Sequence, residues 1–239
     1  MAVDFTQAMG AIRTTVPLDA SRQELIRKSF LWLFIAILAF SAFEFVLFAT
    51  GIADLIAKLV FSVGKIGWLV VMGGFVLVGT LCSNLAHSKS KQTQLIGYSA
   101  YIVCEGLIFT PMLYVAERVS PSIIPISAAI TFLITGGLCA SVIALRSNFS
   151  FIRPFLTAAS LGALGLIVIS AFMGFNLGIL FSFAMVLLAA GYILLTTSNI
   201  LYEYGPDQHI GAATELFAAV ALLFWYILRI AIEIAGKGK

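Results

Sequence analysis

SFLWLFIAILAFSAFEFVLFAT, residues 29–50, is the stretch of sequence that decides the fold. Its only charged side chain is Glu44. A helix crosses the roughly 30 Å hydrocarbon core of a bilayer in about 20 residues. Inside lipid every backbone amide and carbonyl needs an internal partner, so only helices and closed barrels can span it. Barrel strands alternate apolar and polar residues, whereas this run is continuously apolar and therefore predicts a transmembrane helix.

The composition of the whole chain extends this prediction. Hydrophobic residues make up 61% of the 239 residues, charged residues only 10%, and the mean hydropathy is +1.07. Soluble domains carry about 25% charged residues, so lipid must be the solvent of this chain. The predicted spans are 29–50, 66–86, 95–116, 121–145, 154–173, 177–202 and 211–235. The shorter run 52–61 contains Asp54 and Lys58 and predicts an interfacial segment.

These spans define the fold class and the domain organisation. We predict an all-α integral membrane protein, with one seven-helix transmembrane domain at 29–235. A polar tail at 1–28 precedes this domain, and a short basic segment at 236–239 follows it. In the fifth span Ala158 and Gly162 have small-xxx-small spacing, which predicts close packing between helices.

The positions of lysine and arginine predict the orientation, because cytoplasmic loops are enriched in these residues. With the N-terminus in the cytoplasm, eight basic residues outside the spans fall on the cytoplasmic side and five on the other. The eight are Arg13, Arg22, Arg27, Lys28, Lys89, Lys91, Arg146 and Arg153. We therefore expect a cytoplasmic N-terminus. The C-terminus lies outside if the last segment spans the membrane, and inside if that segment is re-entrant.

Ionisable residues within the spans are the candidate functional residues, since each costs roughly 2.5–3.5 kcal/mol at the bilayer centre. Glu105 lies near the middle of the third span, Glu44 in the outer half of the first, and Glu215 about one turn into the last. Together they are candidates to line an ion or proton pathway. The alternatives are a structural hydrogen-bonded carboxyl for Glu105, an interfacial position for Glu44, and a first-turn acid for Glu215. Arg229 either snorkels to the interface or is an ion-pair partner of a carboxylate.

Other kinds of site find no support in the sequence. Cys82, Cys104 and Cys139 lack CxxC spacing, and we interpret them as inert thiols. His87 and His209 fall between spans, and we interpret them as solvated. No nucleotide-binding, metalloprotease or hydrolase motif is present, and the basic residues form no nucleic-acid footprint. We therefore expect no enzyme, no metal or cofactor, and no nucleic-acid partner.

Four further stretches resemble one known family. They are RKSF at 27–30, YIVCEGLIFTP at 101–111, VIALRSNFSFIRPFL at 142–156 and ATELFAAVALLFWYILRI at 213–230. Their order and spacing, over residues 22–235, are similar to those of the Bax inhibitor-1 family, the transmembrane Bax inhibitor motif proteins. The resemblance implies a seven-helix fold in which the last helix is central.

The resemblance also implies candidate functions. Known members act as pH-sensitive calcium leaks and as suppressors of cell death, and bacterial relatives associate with a membrane AAA+ protease and modulate its action on the protein-conducting channel. In the calcium-leaking members two sensor aspartates align with Thr196 and Ala219 here, and neither position carries a carboxylate. Glu215, one turn before Ala219, matches another acidic position of the family. These departures make the chain more similar to the bacterial, protease-associated branch, whose members lie in the inner membrane.

Two functions remain as hypotheses. The first is a pH-sensitive calcium or cation leak with a stress-protective role, which uses Glu105, Glu215 and Glu44. The second is a regulatory protein that binds a membrane AAA+ protease or a translocon through the tail at 1–28, without conducting ions.

Overall fold

The computed structural model describes residues 19–237, with the backbone alone at 65, 66, 68–70 and 72. Its α-helices are α1 (Ala20–Ala49), α2 (Ile52–Ser62), α3 (Gly64–Ala86), α4 (Lys91–Val119), α5 (Ile123–Leu145), α6 (Arg153–Met173), α7 (Gly178–Tyr202) and α8 (His209–Lys237). A 3₁₀ turn, Ser150–Ile152, precedes α6. The described part of the chain is helical throughout apart from its short connections, which confirms the all-α prediction.

The long helices correspond to the predicted spans. Six of them, α1 and α4 to α8, are long and apolar enough to cross a membrane. The remaining long helix, α3, has 23 residues and is therefore about 35 Å long; its described apolar stretch is Gly73–Ala86. These are the seven helices of the predicted bundle.

The short helix α2 lies where the interfacial segment was predicted. Its 11 residues extend about 16 Å, which is too short to cross the hydrocarbon core. Asp54 accepts a hydrogen bond of 2.6 Å from the hydroxyl of Tyr114 on α4 and pairs with Lys58 one turn later. The hydrogen bond from Lys58, followed by that from Tyr114, keeps the pKa of the Asp54 carboxyl below its usual value.

The first helix begins before the first predicted span. Asp19 caps it, because its carboxylate accepts a hydrogen bond of 2.8 Å from the backbone N–H of Arg22. Residues 20–28 of the predicted polar tail are therefore the first turns of α1. Residues 1–18 lie outside the described part of the chain, and so do the last two residues of the basic segment.

The last helix, α8, lies at the centre of the bundle, as the family resemblance implies. It packs against α1, α3, α4, α5 and α7, and Leu216, Leu223 and Leu228 on it are fully buried. The opposite case is α6, where large apolar side chains such as Phe155 and Phe172 are exposed. In a bilayer these exposed side chains meet lipid, so α6 is a peripheral helix.

Successive long helices run in opposite directions and place their ends on two faces. We call one end the N-terminal face; it holds the starts of α1, α4, α6 and α8 and the ends of α3, α5 and α7. Contacts across this face include Arg22 with Tyr204 and Arg153 with Glu203. The other end, the distal face, holds α2 and the end of α4.

Candidate functional site

The structure places the three predicted carboxylates at different depths in the bundle. Glu215 is six residues from the start of α8, or about 9 Å along its axis. Glu105 is 14 residues from the start of α4, or about 21 Å. Glu44 contacts Thr110, which lies five residues beyond Glu105 on α4, or about 7 Å further. Counted from the N-terminal face, the order is therefore Glu215, Glu105, Glu44.

Glu215 forms an ion pair with His87, the residue that follows α3. The Nε2 atom of His87 lies 3.2 Å from Oε1 of Glu215, and its Nδ1 atom lies 2.8 Å from the carbonyl oxygen of Ser83. A carbonyl only accepts, so Nδ1 carries a hydrogen, and the imidazole is positively charged only when Nε2 is protonated as well. The contact is therefore an ion pair that requires the doubly protonated imidazole, and its geometry is not that of a hydrogen bond.

The surroundings of His87 favour its doubly protonated form. The neighbouring Glu215 carboxylate raises the pKa of His87 above its usual value, against the opposing effect of burial. Tyr204 stacks on the imidazole ring with a centroid separation of 6.1 Å. A Cβ atom added at Gly211 would lie 2.7 Å from Cδ2 of His87, so only glycine lets the ring lie this close to α8.

The prediction that His87 is a solvated loop residue is wrong. Its side chain is 26% exposed and is held between the end of α3 and the start of α8. The reason is the short α3–α4 connection, which lies against α8 rather than extending into solvent. The Gln94 side-chain amide reinforces this position, because it donates to the carbonyl oxygens of Ser88 at 2.6 Å and of Asp207 at 3.4 Å.

Sequence reasoning missed two arginines that hold the same face together. The Arg22 guanidinium donates to the carbonyl oxygens of Ile200, at 3.2 Å, and Tyr204, at 2.6 Å, and so ties the start of α1 to the end of α7. Arg153 at the start of α6 pairs with Glu203, which follows α7. This hydrogen bond holds the pKa of the Glu203 carboxyl below its usual range. The available signal was the position of opposite charges at span ends on one face.

Glu105 is buried within the bundle. The hydroxyl of Tyr101, one turn earlier on α4, donates to its Oε1 at 2.9 Å. The Tyr101 ring in turn lies close to Gly79 of α3, where an added Cβ would be 3.7 Å away. Glu105 thus has a hydrogen-bond partner of its own within the bundle.

Glu44 is buried between α1 and α4 and does not reach the interface. Its exposure is 6%, and both carboxylate oxygens lie 3.3 Å from the hydroxyl oxygen of Thr110. Gly106 makes this approach of the helices feasible, because a Cβ there would lie 2.4 Å from the ring of Phe43. Among the described residues, no hydrogen bond or ion pair joins Glu44, Glu105 and Glu215 to one another.

The remaining predicted positions lie elsewhere in the bundle. Arg229 lines a cavity of about 550 Å³ together with Pro111 and Trp225, and no carboxylate of the described residues is within ion-pairing distance of it. Thr196 and Ala219, where the resemblance places sensor aspartates, are both buried. No group of three His, Cys, Asp or Glu side chains in residues 19–237 is arranged to hold a metal ion.

A multipass helical bundle with a central last helix and buried carboxylates defines an integral membrane protein of the seven-helix class. Comparison with known proteins identifies the family. Residues 22–236 match the family described as inhibitor of apoptosis-promoting Bax1, and the chain therefore belongs to the Bax inhibitor-1 family. It is also similar to the uncharacterized protein PA2604 of Pseudomonas aeruginosa, with 33% identity over 164 residues, which cover 67% of this chain and 72% of that protein. The family resemblance seen in the sequence is thus confirmed.

Proposed function

We propose that this protein is a pH-sensitive cation leak with a stress-protective role, and that calcium is among the ions it passes. The observation that carries this proposal is the His87–Glu215 ion pair, which joins the end of α3 to the central helix α8 only when His87 is protonated. We place the N-terminal face in the cytoplasm, in accordance with the distribution of basic residues. In a bacterial host the membrane would be the inner membrane.

The sign of the pH dependence follows from the pKa of His87. This pKa is raised by Glu215, so the pair is fully formed below the ordinary histidine pKa of about 6.5 and is lost as the pH rises through the raised value. Without the second proton, the lone pair of Nε2 faces the carboxylate. Tyr204, two residues after the end of α7, stacks on the same imidazole ring. Loss of the pair frees the end of α3 from the central helix α8, and we propose that this opens the path. We therefore expect the leak to be larger at pH 8 than at pH 6.

Glu215, Glu105 and Glu44 support weak and transient passage rather than a tight calcium site. Calcium takes six to eight oxygen ligands, and each of these carboxylates lies beside a different neighbouring side chain. A leak needs only favourable positions at intervals, because an ion must leave each one easily. Glu105 is the intermediate position and is the residue whose loss we expect to matter most.

The test is calcium flux into dye-loaded proteoliposomes at pH 6 and pH 8. Wild-type protein should pass calcium faster at pH 8, Glu105→Gln should lose the flux, and His87→Ala should raise the flux at pH 6 toward the pH 8 level. His209→Ala is the matched control and should behave as wild type. Correctly folded wild-type protein that gives no flux above empty liposomes at either pH would overturn the leak proposal.

Thr196 and Ala219 favour a second candidate function. A hydroxyl and a methyl group stand where the calcium-leaking members have sensor carboxylates, and both positions are buried. A similar protein also occurs in a bacterium. The second candidate is therefore a regulatory protein that binds a membrane AAA+ protease or a translocon through the tail at 1–28 and conducts no ions. Deletion of residues 1–18 should then abolish the association, whereas Glu105→Gln should not; a leak predicts the reverse pattern for flux.

A further inference from the structure

An apolar cavity of about 910 Å³ lies in the bundle between α1 and α5. These two helices do not pack directly on each other; each packs on α8. Phe45 of α1 and Phe132 of α5 line the cavity and are 73% and 68% exposed, so they mark an opening toward the lipid. The inner wall includes Phe109 of α4 and Phe224 of α8. The volume of the cavity is in the range of small-molecule sites, roughly 300–1,000 Å³.

The wall of this apolar cavity carries the buried carboxylate of Glu44. Its one hydrogen-bonding neighbour is the Thr110 hydroxyl, 3.3 Å from both oxygens. That hydroxyl has a single hydrogen, and its shorter bond, of 2.9 Å, goes to the carbonyl oxygen of Gly106. In the described part of the chain, Glu44 thus has no donor committed to it, and an unsatisfied buried carboxylate is unfavourable.

The other polar side chains on the cavity wall do not supply the missing donor. Ser41 donates to the carbonyl oxygen of Ile37 at 2.8 Å, and Thr131 donates to that of Ser127 at 2.8 Å. Both hydroxyl hydrogens are therefore used within their own helices. An ionised Glu44 therefore has no committed donor within the described part of the bundle, and a donor from outside would stabilise its ionised form.

The acidic side chains of the cavity wall favour a positively charged donor. Of the described residues that line it, Glu44 and Glu117 are acidic and none is basic. Glu117 lies seven residues beyond Thr110 on α4, about 10 Å closer to the distal face. An apolar cavity with acidic groups at its wall and rim favours an apolar molecule that carries a positive charge.

We propose that this cavity binds a lipophilic amine that enters from the bilayer, with its ammonium group at Glu44 and its hydrocarbon chain among the phenylalanines. A primary ammonium group has three N–H donors, and it would form charge-assisted hydrogen bonds with a carboxylate that lacks them. A neutral lipid chain would fill the same volume and leave Glu44 without a donor. This site does not depend on ion conduction, so its test is independent of the test of the leak proposal.

The experiment is photolabelling of the full-length protein in nanodiscs with a dodecylamine derivative that carries a diazirine at the end of its chain. We expect saturable labelling of peptides from α1 and α5. Unlabelled dodecylamine should compete, whereas 1-dodecanol, which has the same chain and no charge, should not. Glu44→Gln should weaken the apparent affinity about 10-fold or more, as expected for the loss of hydrogen bonds to a charged group.

Two further variants keep the test specific. Glu105→Gln removes another buried carboxylate of the bundle that does not line the cavity, and it should leave labelling unchanged. Ala128→Phe adds bulk at the cavity wall and should abolish labelling while the carboxylate remains. Equal competition by dodecanol and dodecylamine, or labelling of Glu44→Gln at the wild-type affinity, would overturn the proposal. The comparison of the two competitors uses wild-type protein, so it decides the matter even where Glu44→Gln fails to fold.

Discussion

His87 Nε2 and Glu215 Oε1 lie 3.2 Å apart, at the point where the end of α3 meets the first turns of α8. The other imidazole nitrogen is committed to the carbonyl oxygen of Ser83, so this contact requires a proton on Nε2. The pair thereby makes the attachment of the central helix to α3 dependent on pH. It also explains why Gly211 occupies α8 beside the ring, since no larger residue fits there.

We expect His87→Ala to reduce the pH dependence of stability between pH 6 and pH 9. The pKa of His87 is raised in the folded protein, so the pair contributes stability below the unfolded pKa and loses it as the pH rises through the folded value. The contribution is about 1 kcal/mol at most, as for an ion pair between partly exposed side chains. Thermal unfolding in detergent at the two pH values measures it. His209→Ala should keep the wild-type difference, and an equal difference in His87→Ala would contradict this account.

The helices were predictable from the sequence because hydrocarbon imposes a length and a continuous apolar character on each span. The start of α1 and the partners of the charged residues were not. Asp19 starts α1 by a local hydrogen bond that hydropathy does not register. The His87–Glu215 pair joins residues 128 positions apart in the sequence, and only the packing of α3 on α8 brings them together.

The glycines also show which contacts could not be predicted from the sequence. The spacing of Ala158 and Gly162 predicted close helix packing, yet a Cβ added at Gly162 would meet nothing within 4 Å. That prediction is wrong at Gly162, because this part of the peripheral helix α6 faces away from its neighbours. Close approaches occur instead at Gly106 and Gly211, where a single glycine lies opposite an aromatic ring and no repeated motif marks it.

Gly211→Ala should reproduce the reduced pH dependence that we expect for His87→Ala. The added Cβ would lie 2.7 Å from Cδ2 and 2.8 Å from Nε2 of His87, so the ring must move away from Glu215. Such overpacking costs about 1–3 kcal/mol. Thermal unfolding across pH 6 to 9 tests it, with Gly236→Ala on the same helix as the control, since a Cβ there meets nothing within 4 Å. Wild-type pH dependence in Gly211→Ala would show that the ring position does not matter.

Glu203→Gln should change little, although its ion pair with Arg153 is short. The two side chains are 41% and 49% exposed, and exposed pairs contribute at most about 1 kcal/mol. We expect a loss of stability below that value and the wild-type ratio of calcium flux at pH 8 and pH 6. Glu215→Gln is the contrasting variant and should abolish the ratio. A changed ratio in Glu203→Gln would mean that the charge at the end of α7, and not the His87–Glu215 pair, sets the pH response.

Gly106→Ala should destabilise the bundle by separating α1 from α4. The added Cβ would lie 2.4 Å from Cδ1 of Phe43 and 3.4 Å from Oε1 of Glu44, so α1 must shift or the ring must turn. Overpacking of this kind costs about 1–3 kcal/mol, whereas Gly136→Ala on α5, where a Cβ meets nothing within 4 Å, should not destabilise the protein. Thermal unfolding in detergent gives both values. Because the same shift displaces Glu44, the dodecylamine affinity of Gly106→Ala should fall as well, and unchanged stability and affinity would contradict the close approach of α1 to α4.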